Sequence, residues 1–169
     1  YTPLFFTVPD SNLLSCIRRY INQNMIHHKS QITHLICKNL EIESIQGIGR
    51  LTSLVKLDLS GNHISNIDDE ISSLSKLVDM NLNNNQIFDI SFDGLTSLKT
   101  LDISSNPLFQ LVFSENLNLK NLKASNMNRI RYIDLTSNDE MIQLDLSNDV
   151  VLKNIDLSGM PKLRSLNLL

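Results

Sequence analysis

Five aspartates recur in one short setting. Asp58, Asp102, Asp134, Asp145 and Asp156 each lie between two branched apolar residues, as Leu-Asp-Leu, Leu-Asp-Ile or Ile-Asp-Leu. Carboxylates brought together at regular intervals are the raw material of acid–base pairs and of cation sites, because their oxygens accept protons or ligate a hard metal. The spacing has a plainer origin. The aspartate occupies an outward position of a strand and is copied with the repeat that carries it, and this reading is preferred. Histidine offers no stronger chemistry: His27, His28, His34 and His63 lack the spacing of metal ligands, and His27-His28 falls in a polar stretch. No Ser/His/Asp or Cys/His constellation can be argued, and the glycines are scattered through turns instead of forming a phosphate loop. The sequence implies no catalytic residue, no metal and no cofactor, so the expectation is a protein that is not an enzyme.

The elements that would hold those aspartates follow a longer period. Leu54-Val55-Lys56-Leu57-Asp58-Leu59-Ser60-Gly61-Asn62 reads L-x-x-L-x-L-x-x-N. The frame returns at Leu77, Met80, Leu82 and Asn85, and again at Leu98, Leu101, Ile103 and Asn106. Three in-phase copies ending in Asn are a specific signal. On these residues the chain resembles the leucine-rich-repeat proteins, over roughly residues 32 to 169. Its start, from Asp10 through Cys37 to Asn62, is similar to that of bacterial internalin-like repeat proteins of the surface or secreted kind, which place a small helical cap before the first strand. The resemblance implies an α/β solenoid: a right-handed coil with a parallel concave β-sheet, a convex side of short irregular, 3-10 or strand-like segments, and an N-terminal helical cap.

The chain divides into a cap, 1–31, and about six to seven turns, 32–169. Residues 1–9 are apolar without a helical period and read as an extended lead-in that packs on the body. Asp10 offers an N-cap for a helix over about 10–23, whose stripe is Leu13, Leu14, Ile17, Tyr20 and Ile21, with Arg18 and Arg19 outside. An amphipathic helix of this kind covers the bare core of a first coil. Coils then start at Ile32, Leu54, Leu77, Leu98 and Leu119, in steps of 22, 23, 21 and 21 residues. Each L-x-L segment alternates in and out as a short strand, and stacked turns give a parallel sheet with strands about 4.8 Å apart. Asn62, Asn85, Asn106 and Asn138 are expected to form a buried ladder whose amides satisfy backbone groups where the chain turns.

From Leu119 the frame returns every 11 residues, at Leu119, Ile130, Met141, Leu152 and Leu163. One turn cannot be that short. The turn therefore stays at 22 residues with a strand-like segment on both sides, Ile130 and Leu152 opening the convex halves. This half resembles the bacterial subclass with two similar half-repeats, although Met127, Asp149 and Met160 stand where Asn is expected. Leu163 to Leu169 form a last strand segment with no readable C-terminal cap. The expectation is a natural chain that continues, or two copies that self-associate through the apolar end.

Cys16 lies in the stripe region of the helix and Cys37 at an inward position of the first strand, where the lid rests. A bond between them would close a loop of about 20 residues and add roughly 3 kcal/mol of stability; two buried free thiols are the alternative. A disulfide would mean an oxidising compartment. The expected location is secreted, periplasmic or cell-surface, with a host cytosol as the alternative for a translocated effector. The chain begins at Tyr1 rather than Met, which fits removal of a leader or upstream segment. With 169 residues, 41% hydrophobic, and net charge −3, the chain can build one core and offers no basic patch for nucleic acid. No apolar run approaches the ~18 residues of a membrane span.

What remains is a surface. His34, Ile36 and Lys38; Lys56, Asp58 and Ser60; Asp79, Asn81 and Asn83; Thr100, Asp102 and Ser104; Asn121, Lys123 and Ser125; and Gln143, Asp145 and Ser147 flank the inward residues and are expected on the concave face. That face is polar and nearly free of the aromatics that dominate tight protein interfaces. Phe88, Phe109 and Tyr132 are apolar candidates on the ascending loops and convex side, with packing within the turn as the alternative. The expected function is a non-catalytic binding module for a protein or glycan partner. The alternative is a recruiting domain of a larger enzyme or translocated effector, and a third reading is a structural role through the open end.

Overall fold

The computed structural model describes residues 6–169, the side chain of Asp68 excepted. Of the expected lead-in, residues 1–5 lie outside the described residues, while Phe6 and Val8 pack against the core. One carboxylate organises the beginning of the chain. Asp10 Oδ1 accepts the backbone N–H groups of Asn12 and Leu13, both at 2.9 Å, and so caps helix α1 (Ser11–Gln23). Its Oδ2 accepts the N–H groups of Glu43 and Ser44 at 2.9 and 3.1 Å, which fastens the helix to the first coil. Burial alone would raise the Asp10 carboxyl, but these four donors outweigh it and hold the group below its ordinary value. Leu13, Cys16 and Ile17 are buried under the helix, and Cys16 is disulfide-bonded to Cys37.

The coil follows as nine short strands among the described residues: β1 (His34–Ile36), β2 (Lys56–Asp58), β3 (Asp79–Asn81), β4 (Thr100–Asp102), β5 (Gln110–Val112), β6 (Asn121–Lys123), β7 (Tyr132–Asp134), β8 (Gln143–Asp145) and β9 (Ser165–Asn167). Seven of them form one parallel sheet in the order β1-β2-β3-β4-β6-β8-β9. The central residue of each of the first six sheet strands points inward: Leu35, Leu57, Met80, Leu101, Leu122 and Leu144 are buried and stack in register. The leucine-rich-repeat coil expected from the L-x-x-L-x-L frame is present, and its inward side chains make one continuous core.

Each turn leaves its strand through a left-handed residue. Asn39, Gly61, Asn84, Ser105, Asn126 and Asn148 have φ of 55, 68, 55, 57, 57 and 61°, each one position before the ninth residue of the frame. Asn and Gly tolerate that region, which explains their recurrence there. At Gly61 a Cβ would stand 2.0 Å from Asn39 Oδ1, so the site has no room for a side chain as it stands.

The convex side is irregular in the first turns, with 3-10 segments at Ile48–Arg50 and Asp68–Ile71. It then carries a second parallel pair, β5 with β7. The rings of Phe92 and Phe113 stack at 5.0 Å inside this half. Strand-like convex halves therefore begin one turn earlier than the 11-residue rhythm suggests, and β7 falls in the half that Ile130 opens. The half expected to open at Leu152 is different: residues 152–157 are not paired with β7. In the repeat register Lys153 would lie beside Arg131 and Asp156 beside Asp134, so pairing sets like charges against each other.

Candidate binding groove

The recurring aspartates close their own strands. Asp58 Oδ1 accepts the Ser60 N–H at 3.0 Å and its hydroxyl at 2.7 Å, and Asp145 does the same with Ser147. Asp102 accepts the Ser104 N–H, Asp134 the N–H and hydroxyl of Thr136, and Asp156 the Ser158 N–H. These bonds to the residue two positions on form side-chain turns at the strand end. They also pull the Asp134 and Asp156 carboxyls below their ordinary values. The repeat keeps Asp for a turn, and among the described residues no group of three or more His, Cys, Asp or Glu could hold a metal ion.

The outward side chains of the sheet line up across strands. Lys56, Asp79, Thr100, Asn121, Gln143 and Ser165 form one row, and Asp58, Asn81, Asp102, Lys123, Asp145 and Asn167 the next. From β3 to β9 the two rows line an open groove of 520 Å³, floored by Met80, Leu101, Leu122 and Leu144. Of the expected face residues, Asp79, Asn81, Thr100, Asp102, Asn121, Lys123, Gln143 and Asp145 line it. His34, Lys38, Lys56 and Asp58 belong to the β1–β2 end and lie outside it. Ser104, Ser125 and Ser147 are buried at its rim; the Ser125 hydroxyl donates to Ser104 Oγ at 3.2 Å. Lys56 pairs with Asp79 at 2.6 Å, and this hydrogen bond and charge raise the ammonium above its ordinary value. Among the described residues the side chains of Lys123 and Gln143 make no hydrogen bond, and both stand exposed over the groove. Phe88, Phe109 and Tyr132 are about half exposed on the other flank, where Arg129 sits 5.6 Å over the Phe109 ring.

Beneath the groove, asparagines bind the turns together. Asn62 Oδ1 accepts the N–H groups of Leu40 and Ile42, and its Nδ2 donates to the carbonyls of Cys37 and Leu59. Asn85 and Asn106 follow one and two turns on, each accepting one N–H, of Ile64 and Ile87, and donating to the two matching carbonyls. Asn138 is not in this row. It stands in a second one on the other side of the coil with Asn116, which donates to the carbonyls of Phe92 and Leu95, while Asn138 donates to those of Phe113 and Asn116. The reason is position: Asn138 ends a convex half-repeat, and the same 22-residue step leads back to Asn116. That step was the signal by which Asn116 could have been found. In the first row the place after Asn106 is taken by buried Met127, and the next by Asp149.

Leucine rich repeat family models match residues 52–108 and 97–123. No curated protein sequence matches the chain. Among solved structures it is similar to the functional domain of InlJ from Listeria monocytogenes, described as including a cysteine ladder. The two are 24% identical with a TM-score of 0.75 over 88% of this chain and 31% of that one. It is similar also to the internalin InlF of the same organism, at 23% identity and TM-score 0.68, over 94% of this chain and 55% of that one. The internalin C2 of L. monocytogenes is 21% identical with a TM-score of 0.71, over 99% of this chain and 89% of that one. The chain thus spans under a third of the first of these structures and about half of the second, and the likeness is one of fold.

Proposed function

We propose that this leucine-rich-repeat protein, internalin-like in fold, is a non-catalytic binding module whose concave groove takes a protein partner, as part of a bacterial surface or secreted protein. The observation that carries the reading is the groove itself. Five adjacent strands present polar side chains in register over 520 Å³, on a scaffold whose buried rows of leucine and asparagine fix their spacing. Rigid elements that hold side chains at set intervals suit recognition, because little freedom is lost when the partner binds. The same groove would serve a recruiting domain within a longer protein. A glycan is the second reading, favoured by the in-register amide, hydroxyl and carboxylate groups, which can hydrogen-bond neighbouring hydroxyls of a sugar. The Cys16–Cys37 disulfide supports an oxidising compartment, and no helix among the described residues is long and apolar enough to cross a membrane.

Affinity capture with the immobilised protein tests the reading, beside the charge-swapped variant Lys56→Glu/Asp79→Lys. The swap keeps an ion pair at the groove's edge and reverses what it offers. The expected result is a partner captured by the natural protein and lost by the variant; a partner held equally by both would overturn the assignment of this face.

A further inference from the structure

The ladder beneath the groove contains an acid. In the row of Asn62, Asn85 and Asn106, each side chain accepts from the turn before it and donates to two carbonyls, one three residues back and one 24 to 26 residues back. Asp149 does half of this. Its Oδ1 accepts the Met127 N–H at 2.7 Å, while its Oδ2 is buried without a partner among the described residues. By the row's own spacing, the carbonyls that a donor at this place would meet are those of Ala124 and Leu146. An ionised carboxylate has no proton to give them and leaves a buried charge unanswered, whereas a protonated one supplies the missing donor.

A second observation lies immediately after it. Ile155-Asp156-Leu157 repeats Ile133-Asp134-Leu135, the segment that contains most of β7, yet it does not pair with that strand. A groove of 770 Å³ lies between them, lined by Arg131 to Thr136 on one side and by Val151 and Lys153 to Asp156 on the other. Leu152, Ile155 and Leu157 are only half-buried where Ile130, Ile133 and Leu135 are buried. Both ends of the segment are nonetheless seated. The Leu152 N–H donates to the Asp149 carbonyl at 3.0 Å, and Gly159 packs so close to Thr136 that a Cβ would lie 3.3 Å from its carbonyl oxygen. Residues 151–157 therefore form a strap unpaired with β7, which starts from a turn on the Asp149 backbone carbonyl, while the Asp149 carboxyl reaches into the neighbouring turn at Met127.

We propose that Asp149 is an acid-sensitive latch for this strap: protonated, its Oδ2 donates to a carbonyl of the neighbouring turn and residues 151–157 settle on β7 in the repeat register; ionised, it releases them. Among the described residues the charge that acts on Asp149 is that of Asp145 on β8. Burial first, and then the charge of Asp145, push its carboxyl up to about 6, against the opposing Met127 N–H. The ordinary carboxylate value is about 4. A raised folded value means that the latch's contribution is full below about 4 and lost as pH rises through about 6. Settling brings Asp156 beside Asp134 and Lys153 beside Arg131. Asp134, Asp156 and Lys153 lie at the solvent-facing surface, where salt and water screen such pairs far better than they screen a buried carboxylate.

Hydrogen exchange of the intact protein at pH 5.0 and 7.5, corrected for intrinsic rates, tests the latch, read on the amides of residues 151–157. Protection should fall on the order of tenfold or more from the lower to the higher pH. In Asp149→Asn, which carries a donor at every pH, it should be high at both. Equal protection at both pH values in the natural protein, or an Asn variant that keeps the pH dependence, would overturn the proposal. A carboxyl-carbon NMR titration of Asp149 in the natural protein needs no variant: a midpoint near 6 agrees with the latch, and one at or below 4 overturns it.

Discussion

Asn85 answers three buried backbone groups at once: the Ile64 N–H through Oδ1, and the carbonyls of Leu59 and Leu82 through Nδ2. Removing the amide leaves the Ile64 N–H without its acceptor and each carbonyl with one ladder donor, from Asn62 or Asn106, in place of two, and an unsatisfied buried group costs about 1–3 kcal/mol. Asn85→Ala is therefore expected to lower stability by about that amount, read as a shift of the urea midpoint with unchanged slope. An unaltered midpoint would remove the ladder as a stabilising device. Asn62, Asn85 and Asn106 were legible in the sequence because residue type and repeat frame coincide at those positions. Asn116 was harder to see, since it ends Leu108-x-x-Leu111-x-Phe113, where Phe replaces the third frame residue, and Asn138 ends a frame that opens at Ile130 on the convex side, which puts it in the second row. The left-handed residue before each ladder position was hidden too: Gly, Asn and Ser all fill it, and their common property is backbone conformation, not chemistry.

At the scale of elements, helix α1 is held by two ties that act on different states of the chain. Asp10 stabilises the folded state, capping the helix with one oxygen and binding the Glu43–Ser44 backbone with the other. Asp10→Ala should cost about 1–2 kcal/mol, the range for a lost N-cap. Its pH signature has the opposite sign to that of Asp149. Because the folded carboxyl lies below its unfolded value, its contribution is present above about 4 and is lost as pH falls through the lower folded value. Comparing acid unfolding of the natural protein with Asp10→Asn, which keeps one acceptor oxygen but loses the charge, should show the acid-side loss reduced in the variant. The disulfide acts mainly on the unfolded chain. With its ends 21 positions apart in sequence, its removal in Cys16→Ala/Cys37→Ala should cost roughly 3 kcal/mol, read by thermal unfolding of variant against oxidised protein. A variant as stable as the oxidised protein would contradict that estimate. The helix, its cap and its stripe could be read in advance because 3.6-residue periodicity and capping are local. The unpaired strap at 151–157 could not, because pairing depends on charges brought together from neighbouring turns.

At the scale of the whole molecule, the repeat does two jobs with one set of residues, and this decides how its surface must be tested. Inward leucines and asparagines stack turn on turn, so that each turn leans only on its neighbours. The outward residues between them are what a partner meets, but they are not equally free. Asp102 and Asp145 line the groove and also close their strands on Ser104 and Ser147, so altering them disturbs the scaffold together with the face. The side chains of Lys123 and Gln143 make no hydrogen bond among the described residues, sit on adjacent strands β6 and β8, and line the middle of the groove. The double variant Lys123→Ala/Gln143→Ala is expected to keep its stability within about 0.5 kcal/mol, as exposed substitutions do, and to weaken partner binding about tenfold or more, as loss of about 1.4 kcal/mol at a central contact would. Titration of the partner by calorimetry, with Phe88→Ala on the opposite flank as the control, reads the two faces separately. If the flank substitution weakens binding and the groove substitutions do not, recognition belongs to the half-exposed Phe88, Phe109 and Tyr132, and the regular concave sheet serves only to hold them in line.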